Sequence, residues 1–220
     1  MKKNEIISPV NKLTKQDKLE IAVKAVIEKI PFIGSIMSNA YFEVRNRKYM
    51  HRLESFCNQL GTELMYLEKE NVDRNFLQTD EFSDIIDEVF QKVLRTSNKE
   101  RIRAYRNVII GSIIKTHPPY DEIEIFLTKL PLLSTSHFNI IRYFKDNNIN
   151  VCRYKDLKAK YPTEGNIIID LLNIGILFRP LTAIMRNEQL TYQGEPGPNE
   201  DINFTPFGRK FVDFILKEGD

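Results

Sequence analysis

The chain has 220 residues, enough for one large domain or two modest ones that each bury a core. It is 42% hydrophobic and 28% charged, an ordinary globular composition, and its net charge of +2 is too near neutral to imply a polyanionic partner by itself. No apolar run approaches the ~20 residues of a membrane span, and the early lysines precede no stretch of signal-peptide length, so a cytoplasmic location is expected.

The first half reads as helices. Over residues 14–30, Leu19, Val23, Val26 and Ile30 share one stripe with Ile27 alongside, an amphipathic helix that Pro31 ends or kinks. Ser35 is the expected N-cap of a long helix reaching about Glu70. Its packing seam is Tyr49, Leu53, Phe56, Leu60, Leu64 and Leu67, and unbroken it would run about 54 Å. Asn71 and Asp73 then punctuate. Residues 80–95 place Phe82, Ile85, Ile86, Val89, Phe90, Val93 and Leu94 at helical spacing. Thr79 is the cap, acids fill the first turn, and Lys92 and Arg95 sit at the end.

Ser97-Asn-Lys-Glu100 reads as a capping box opening a basic helix with Lys99, Arg101, Arg103 and Arg106, whose apolar positions include Ile102, Val108, Ile109 and Ile113. The short connection predicts antiparallel packing, with the acidic and basic helices as complementary solvated faces. Thr116-His-Pro-Pro119 breaks the chain before a helix over 121–130. Pro131 and Leu132-Leu-Ser-Thr-Ser136 form the expected hinge between a bundle domain, 1–132, and a second domain, 133–220.

Beyond the hinge the order of elements changes. Ser136 is the expected cap of a helix over 137–146 carrying Phe138, Ile140, Ile141 and Phe144. Residues 147–150 form a turn, 154–161 a short helix, and Pro162-Thr163 opens a third helix that Gly175 stops. Residues 176–178 with 181–185, then 189–192, then 202–204 supply strands around a long turn, and the last helix runs through Leu216.

The stretch Leu171-Leu-Asn-Ile-Gly-Ile-Leu-Phe178, followed by Phe204-Thr-Pro-Phe-Gly-Arg-Lys-Phe211, resembles bacterial winged-helix domains over about residues 135–217. Those domains share an apolar L-x-x-x-G-h-h helix exit and an L-T-x-x-G-x-x-F strand-to-helix corner. The resemblance implies a mostly α chain: an N-terminal helical bundle, then a winged helix of three helices, a small antiparallel hairpin or sheet, and a final helix. Residues 79–115, an acidic D-E-F-x-D-h-h helix joined through Ser97-Asn-Lys-Glu-Arg101 to A-Y-x-N-V-I-I-G-S-I, resemble poorly characterised bacterial helical proteins associated with phage-defence and prophage genes. The many Lys, Ile and Asn residues suit an AT-rich bacterial or phage genome.

In a winged helix the third helix enters the major groove, where arginine to guanine is the commonest specific contact. Residues 164–174 contain no Lys or Arg. Their polar face is Asn166, Asp170 and Asn173 with Ile169 beside it, and Asp170 and Glu164 would repel phosphates. The wing that should flank this helix is acidic through Glu195, Glu200 and Asp201. The second helix is basic, and Arg153, Lys155, Lys158 and Lys160 are the candidate DNA-backbone contacts. Residues 131–220 hold eleven Lys/Arg and eleven Asp/Glu, so the module offers little of the phosphate neutralisation that dominates DNA affinity. Asn166, Ile169, Asp170 and Asn173 are therefore read as a surface for a protein partner or self-association.

A second candidate lies near the N-terminus. Residues 30–42 are uncharged and stand before Arg45, Arg47, Lys48 and Arg52; residues 1–52 hold eleven Lys/Arg against five Asp/Glu. Ile33, Ile36 and Met37 with those bases could meet an anionic membrane surface or a partner. A buried turn of the bundle core, cornered by Pro31 and Gly34, accounts for the same pattern.

Enzymatic signatures are missing from the pattern. His51, His117 and His137 are scattered, with no phosphate-cradling glycine loop, nucleophile elbow or metal-ligand pair. Asp80, Asp84, Asp87 and Glu88 read as a solvated, dipole-favoured helix face, and Cys57 and Cys152 as reduced, partly buried thiols. The expected function is a non-enzymatic interaction or adaptor module of a bacterial or phage system, with phage defence the first setting and no cofactor. The alternatives are a winged-helix transcription regulator and a membrane-active effector using residues 18–52.

Overall fold

The computed structural model describes residues 47–67, 71–180 and 196–216. The helix expected over 14–30, the start of the long helix, the strands expected over 181–185 and 189–192, and Ile33, Ile36, Met37, Arg45 and Glu195 lie outside the described residues.

Helix α1, Arg47–Met65, buries Leu53, Phe56, Leu60 and Leu64, four positions of the expected seam, and leaves Tyr49 exposed. It ends at Met65, before the expected Glu70. The amides of Tyr66 and Leu67 reach carbonyls only three residues back, a tightened last turn. The Asp73 carboxylate then accepts from the amides of Asn75 (3.0 Å) and Phe76 (3.1 Å), opening a single 3₁₀ turn, Phe76–Gln78. The Phe76 bond leads in holding the Asp73 pKa below the usual carboxylate range.

Helix α2 is Asp80–Arg95, with Thr79 accepting from the Phe82 amide as its cap. Its stripe from Phe82 to Val93 is buried. Helix α3, Lys99–Ser112, is capped differently from the expected box: the Asn98 carboxamide, not Ser97, accepts from Glu100 (2.9 Å) and Arg101 (3.2 Å). Asparagine is as good a cap as serine, and Asn98 takes both free amides at once. Two of the basic residues of α3 depart from the expected solvated face, while Lys99 stays exposed. Arg106 is 8% exposed and donates to Glu63 (2.8 Å) and Gln59 (2.6 Å) of α1, while Arg101 donates Nε–H to the Leu133 carbonyl (2.6 Å).

Helix α4 is Tyr120–Lys129, continuing into the 3₁₀ turn Leu130–Leu132. The segment expected to be a hinge is anchored, because Leu130 and Leu133 are fully buried and Arg101 holds the Leu133 carbonyl. Helix α5, Thr135–Asp146, is capped by Ser134 rather than Ser136. The Ser134 hydroxyl accepts from the His137 amide, and the Ser134 amide donates to His137 Nδ1 (3.0 Å).

The rest builds a small sheet. Strand β1, Val151–Arg153, runs directly into α6, Tyr154–Lys160, and then α7, Gly165–Ile174. Strand β2, Leu177–Phe178, and β3, Asp201–Phe204, precede α8, Pro206–Ile215. All pairing is antiparallel with β3 central, Cys152 opposite Ile202 and Leu177 opposite Phe204. Mostly helical, with one small antiparallel sheet, the chain has the fold class expected. From α5 onward the order is helix, strand, two helices, two strands and helix, with β1 and β2 on opposite sides of β3.

One continuous buried cluster runs from Leu53 to Leu216 and includes residues of both halves. The joint is aromatic. Phe126 of α4 lies among Phe207, Phe211 and Phe214 of α8.

Candidate functional site

Two buried residues three apart, Ile168 and Leu171, seat α7 on the core. Its exit is fixed by Gly175, whose φ of +85° is open to glycine and costly for other residues. There the Gly175 amide donates to the Leu172 carbonyl (3.1 Å) and the Ile176 amide to the Leu171 carbonyl (3.0 Å), the paired closure of a Schellman turn. Ile176 is fully buried, so the helix is locked in rotation.

That rotation puts Asn166, Ile169, Asp170 and Asn173, at i, i+3, i+4 and i+7, on one face. The three polar residues are exposed and Ile169 is half-buried. Ile167, Leu172 and Ile174 pack partly against the core, whereas Ile169 does not belong to that packed set. The residues expected to form one surface do stand together, and an apolar side chain sits in their midst.

Beneath this face lies a histidine to which the sequence pattern assigns no role. His137 is 4% exposed, and its Nε2 lies 3.9 Å from the Asp170 carboxylate, too far for a hydrogen bond. Because Nδ1 accepts from the Ser134 amide, the neutral ring carries its proton on Nε2, directed to the α7 side. Burial pushes the His137 pKa down and outweighs the opposing pull of Asp170. The Ser134-x-x-His137 spacing is that of a capping box with histidine in the Glu/Gln position, and it was the available clue.

A depressed folded pKa means that the unfolded chain takes the proton first. This stability is therefore complete above the ordinary histidine value of 6.5 and is lost as pH falls below it. His137→Gln keeps an acceptor for the Ser134 amide and removes the titration. The expected result is a flatter melting temperature between about pH 6.5 and 5 for the variant than for the wild type. Parallel curves over that window would exclude the role.

The basic surface is organised by β1 and α6. Tyr154 and Leu157 face inward, and Arg153, Lys155, Lys158 and Lys160 are all exposed. Lys160 lies over the Tyr143 ring at 4.5 Å and Lys158 over Tyr154 at 5.7 Å. The acidic segment expected to flank the third helix lies instead against the start of the second. The amides of Tyr154 and Lys155 donate to the carbonyls of Glu200 (2.8 Å) and Pro198 (3.0 Å). One of its acids, Asp201, is opposite Arg153 across the strands, and Glu200 pairs with a further base, Arg179, at 3.3 Å. The first free amides of α6 draw this segment in, since no side chain caps that helix.

Of the N-terminal candidates, Arg47 and Lys48 belong to α1, and Arg52 is turned inward. Its guanidinium donates to the Leu94 carbonyl (2.7 Å) at the end of α2 and stacks over Tyr49. Among the described residues no helix is long and apolar enough to cross a membrane. Cys57 and Cys152 are free and buried, and burial pushes the Cys57 thiol up to about 12, which removes its nucleophilic form at neutral pH. Among the described residues no three His, Cys, Asp or Glu side chains are grouped to hold a metal ion. Comparison of the chain with protein-family models, curated proteins and solved structures finds no match.

Proposed function

We propose that the chain is a non-enzymatic interaction module whose α7 face, Asn166, Ile169, Asp170 and Asn173, docks a protein partner. The observation that carries this reading is the half-exposed Ile169 standing outside the core between exposed amides and a carboxylate, on a helix without a base. Such a mixed face suits a protein surface, where an apolar centre is covered and a polar rim stays wet. Against DNA, Asp170 would confront phosphates. A bacterial or phage setting, phage defence first, rests on the resemblance of residues 79–115.

Tagged full-length protein expressed in its native host should retain one stoichiometric partner. With that partner purified, Ile169→Arg and Asp170→Lys should each weaken binding by about tenfold or more, as expected of a central residue. Unchanged affinity in both variants would reject the face.

The second reading, a DNA-binding regulator, is favoured by four exposed bases, Arg153 at the end of β1 and Lys155, Lys158 and Lys160 of α6. Random duplex DNA at low salt distinguishes the two. A steeply salt-dependent complex abolished by Lys155→Gln with Lys158→Gln would establish the regulator and displace the docking reading. The neighbouring Glu200 and Asp201 lead us to expect no such complex.

A further inference from the structure

We propose that a cleft between the α2–α3 corner and the start of α5 binds the phosphate group of a small ligand. Arg95 and Arg101 both line it. Ser97, Asn98, Ser134 and Thr135 are among its other walls, and every lining side chain is an arginine, a hydroxyl or an amide. Among the described residues no carboxylate lines the cleft. Glu100, next to Arg101, is committed to Arg142 (2.5 Å) and Arg103 (3.9 Å), and Glu164 takes the Ser136 hydroxyl (2.8 Å) without lining the cleft.

The guanidinium groups carry the inference. Arg101 is held by its Nε–H on the Leu133 carbonyl, which leaves its two terminal nitrogens without partners among the described residues. The Arg95 guanidinium has neither an ion pair nor a hydrogen bond among the described residues. Two like charges in one cleft repel each other, and a dianion bridging them removes that repulsion. Phosphate fits best, since its charge matches the pair and its oxygens accept forked guanidinium bonds as well as hydroxyl bonds. The ends of α3 and α5 contribute little, because Asn98 and Ser134 already occupy amides of their first turns. The Asn98 amide donating to Thr135 (3.4 Å) ties the two walls together. A volume of about 430 Å³ holds a phosphate and an attached group, such as a nucleoside.

The test is calorimetric titration of the full chain with inorganic phosphate and, separately, with adenosine monophosphate, at constant ionic strength set by chloride. Saturable binding is expected, and Arg95→Gln should weaken it about ten- to a hundredfold, the ratio carried by one charge-assisted bond. Lys155→Gln with Lys158→Gln should leave it unchanged. Tighter binding of the nucleotide would name a phosphate ester as the ligand, and equal binding free phosphate. In parallel, phosphate should move the amide resonances of Ser97 and Thr135 in the unaltered chain. No saturable heat, equal affinity in Arg95→Gln, or resonance shifts confined to α6 would each overturn the proposal.

Discussion

Gly208→Ala is expected to destabilise the chain by roughly 3 kcal/mol or more, although alanine in place of glycine within a helix ordinarily stabilises by about 1 kcal/mol. The reversed sign comes from the corner where β3 turns into α8. A Cβ on residue 208 would lie 2.0 Å from the Ile176 carbonyl oxygen, 2.7 Å from its carbon and 2.9 Å from Cα. These are backbone atoms and cannot rotate aside. Moving α8 away would sacrifice the bonds that hold the corner: the Thr205 amide to the Ile176 carbonyl (3.0 Å), the Thr205 hydroxyl to Gly175 (2.6 Å), and the Gly208 amide to Thr205 Oγ1 (2.7 Å). Urea unfolding followed by far-UV circular dichroism gives the answer directly. A midpoint equal to or above that of the wild type would show that the corner tolerates the methyl group.

The same corner explains how much of the molecule could be read in advance. The corner at Phe204-Thr-Pro-Phe-Gly208 is legible as the opening of the last helix through its L-T-x-x-G-x-x-F pattern, and the structure adds the reason: Thr205 caps α8 and Pro206 stands at its first position. The stripe of α2 was equally plain, since buried residues and helical period agree along its whole length. Strand β1 was missed. Three residues, Val151–Arg153, give alternation too little length to register, and β1 is a strand only because β3 lies beside it.

Thr79 and Gly175 cap where the sequence places them, whereas two other caps fall one or two positions away, at Asn98 for Ser97 and Ser134 for Ser136. Neighbouring polar residues compete on equal intrinsic terms, and tertiary packing chooses between them. For the site, the spacing of Asn166, Ile169, Asp170 and Asn173 sufficed to place them on one face. The approach of Glu200 and Asp201 to α6, the inward turn of Arg52 and the pairing of Arg106 with α1 join residues distant in sequence, and no local pattern records them.

The largest expected effect of a core truncation is at Phe126→Ala, about 3–5 kcal/mol. Phe126 is fully buried, with ring centroids 5.7, 5.4 and 5.2 Å from Phe207, Phe211 and Phe214. Each aromatic pair adds about 0.5–1.5 kcal/mol beyond the area it covers. All three partners belong to α8, the last described helix, whereas Phe126 belongs to α4. The carbonyl of Ile215 also accepts from the buried Asn107 of α3 (2.9 Å), and that of Leu216 from Lys145 of α5. Helix α8 therefore closes the sheet region on one side and the bundle on the other. Removing the Phe126 ring should loosen both sides together. Amide hydrogen exchange is the discriminating measurement, because it reports residues of α1 and of α7 in one experiment. In Phe126→Ala the slowest amides of both helices should lose protection by the same free energy, with a single urea transition retained. Loss confined to α4 and α8, with α1 still fully protected, would mean that bundle and C-terminal region open as separate units and that the aromatic joint couples them only weakly.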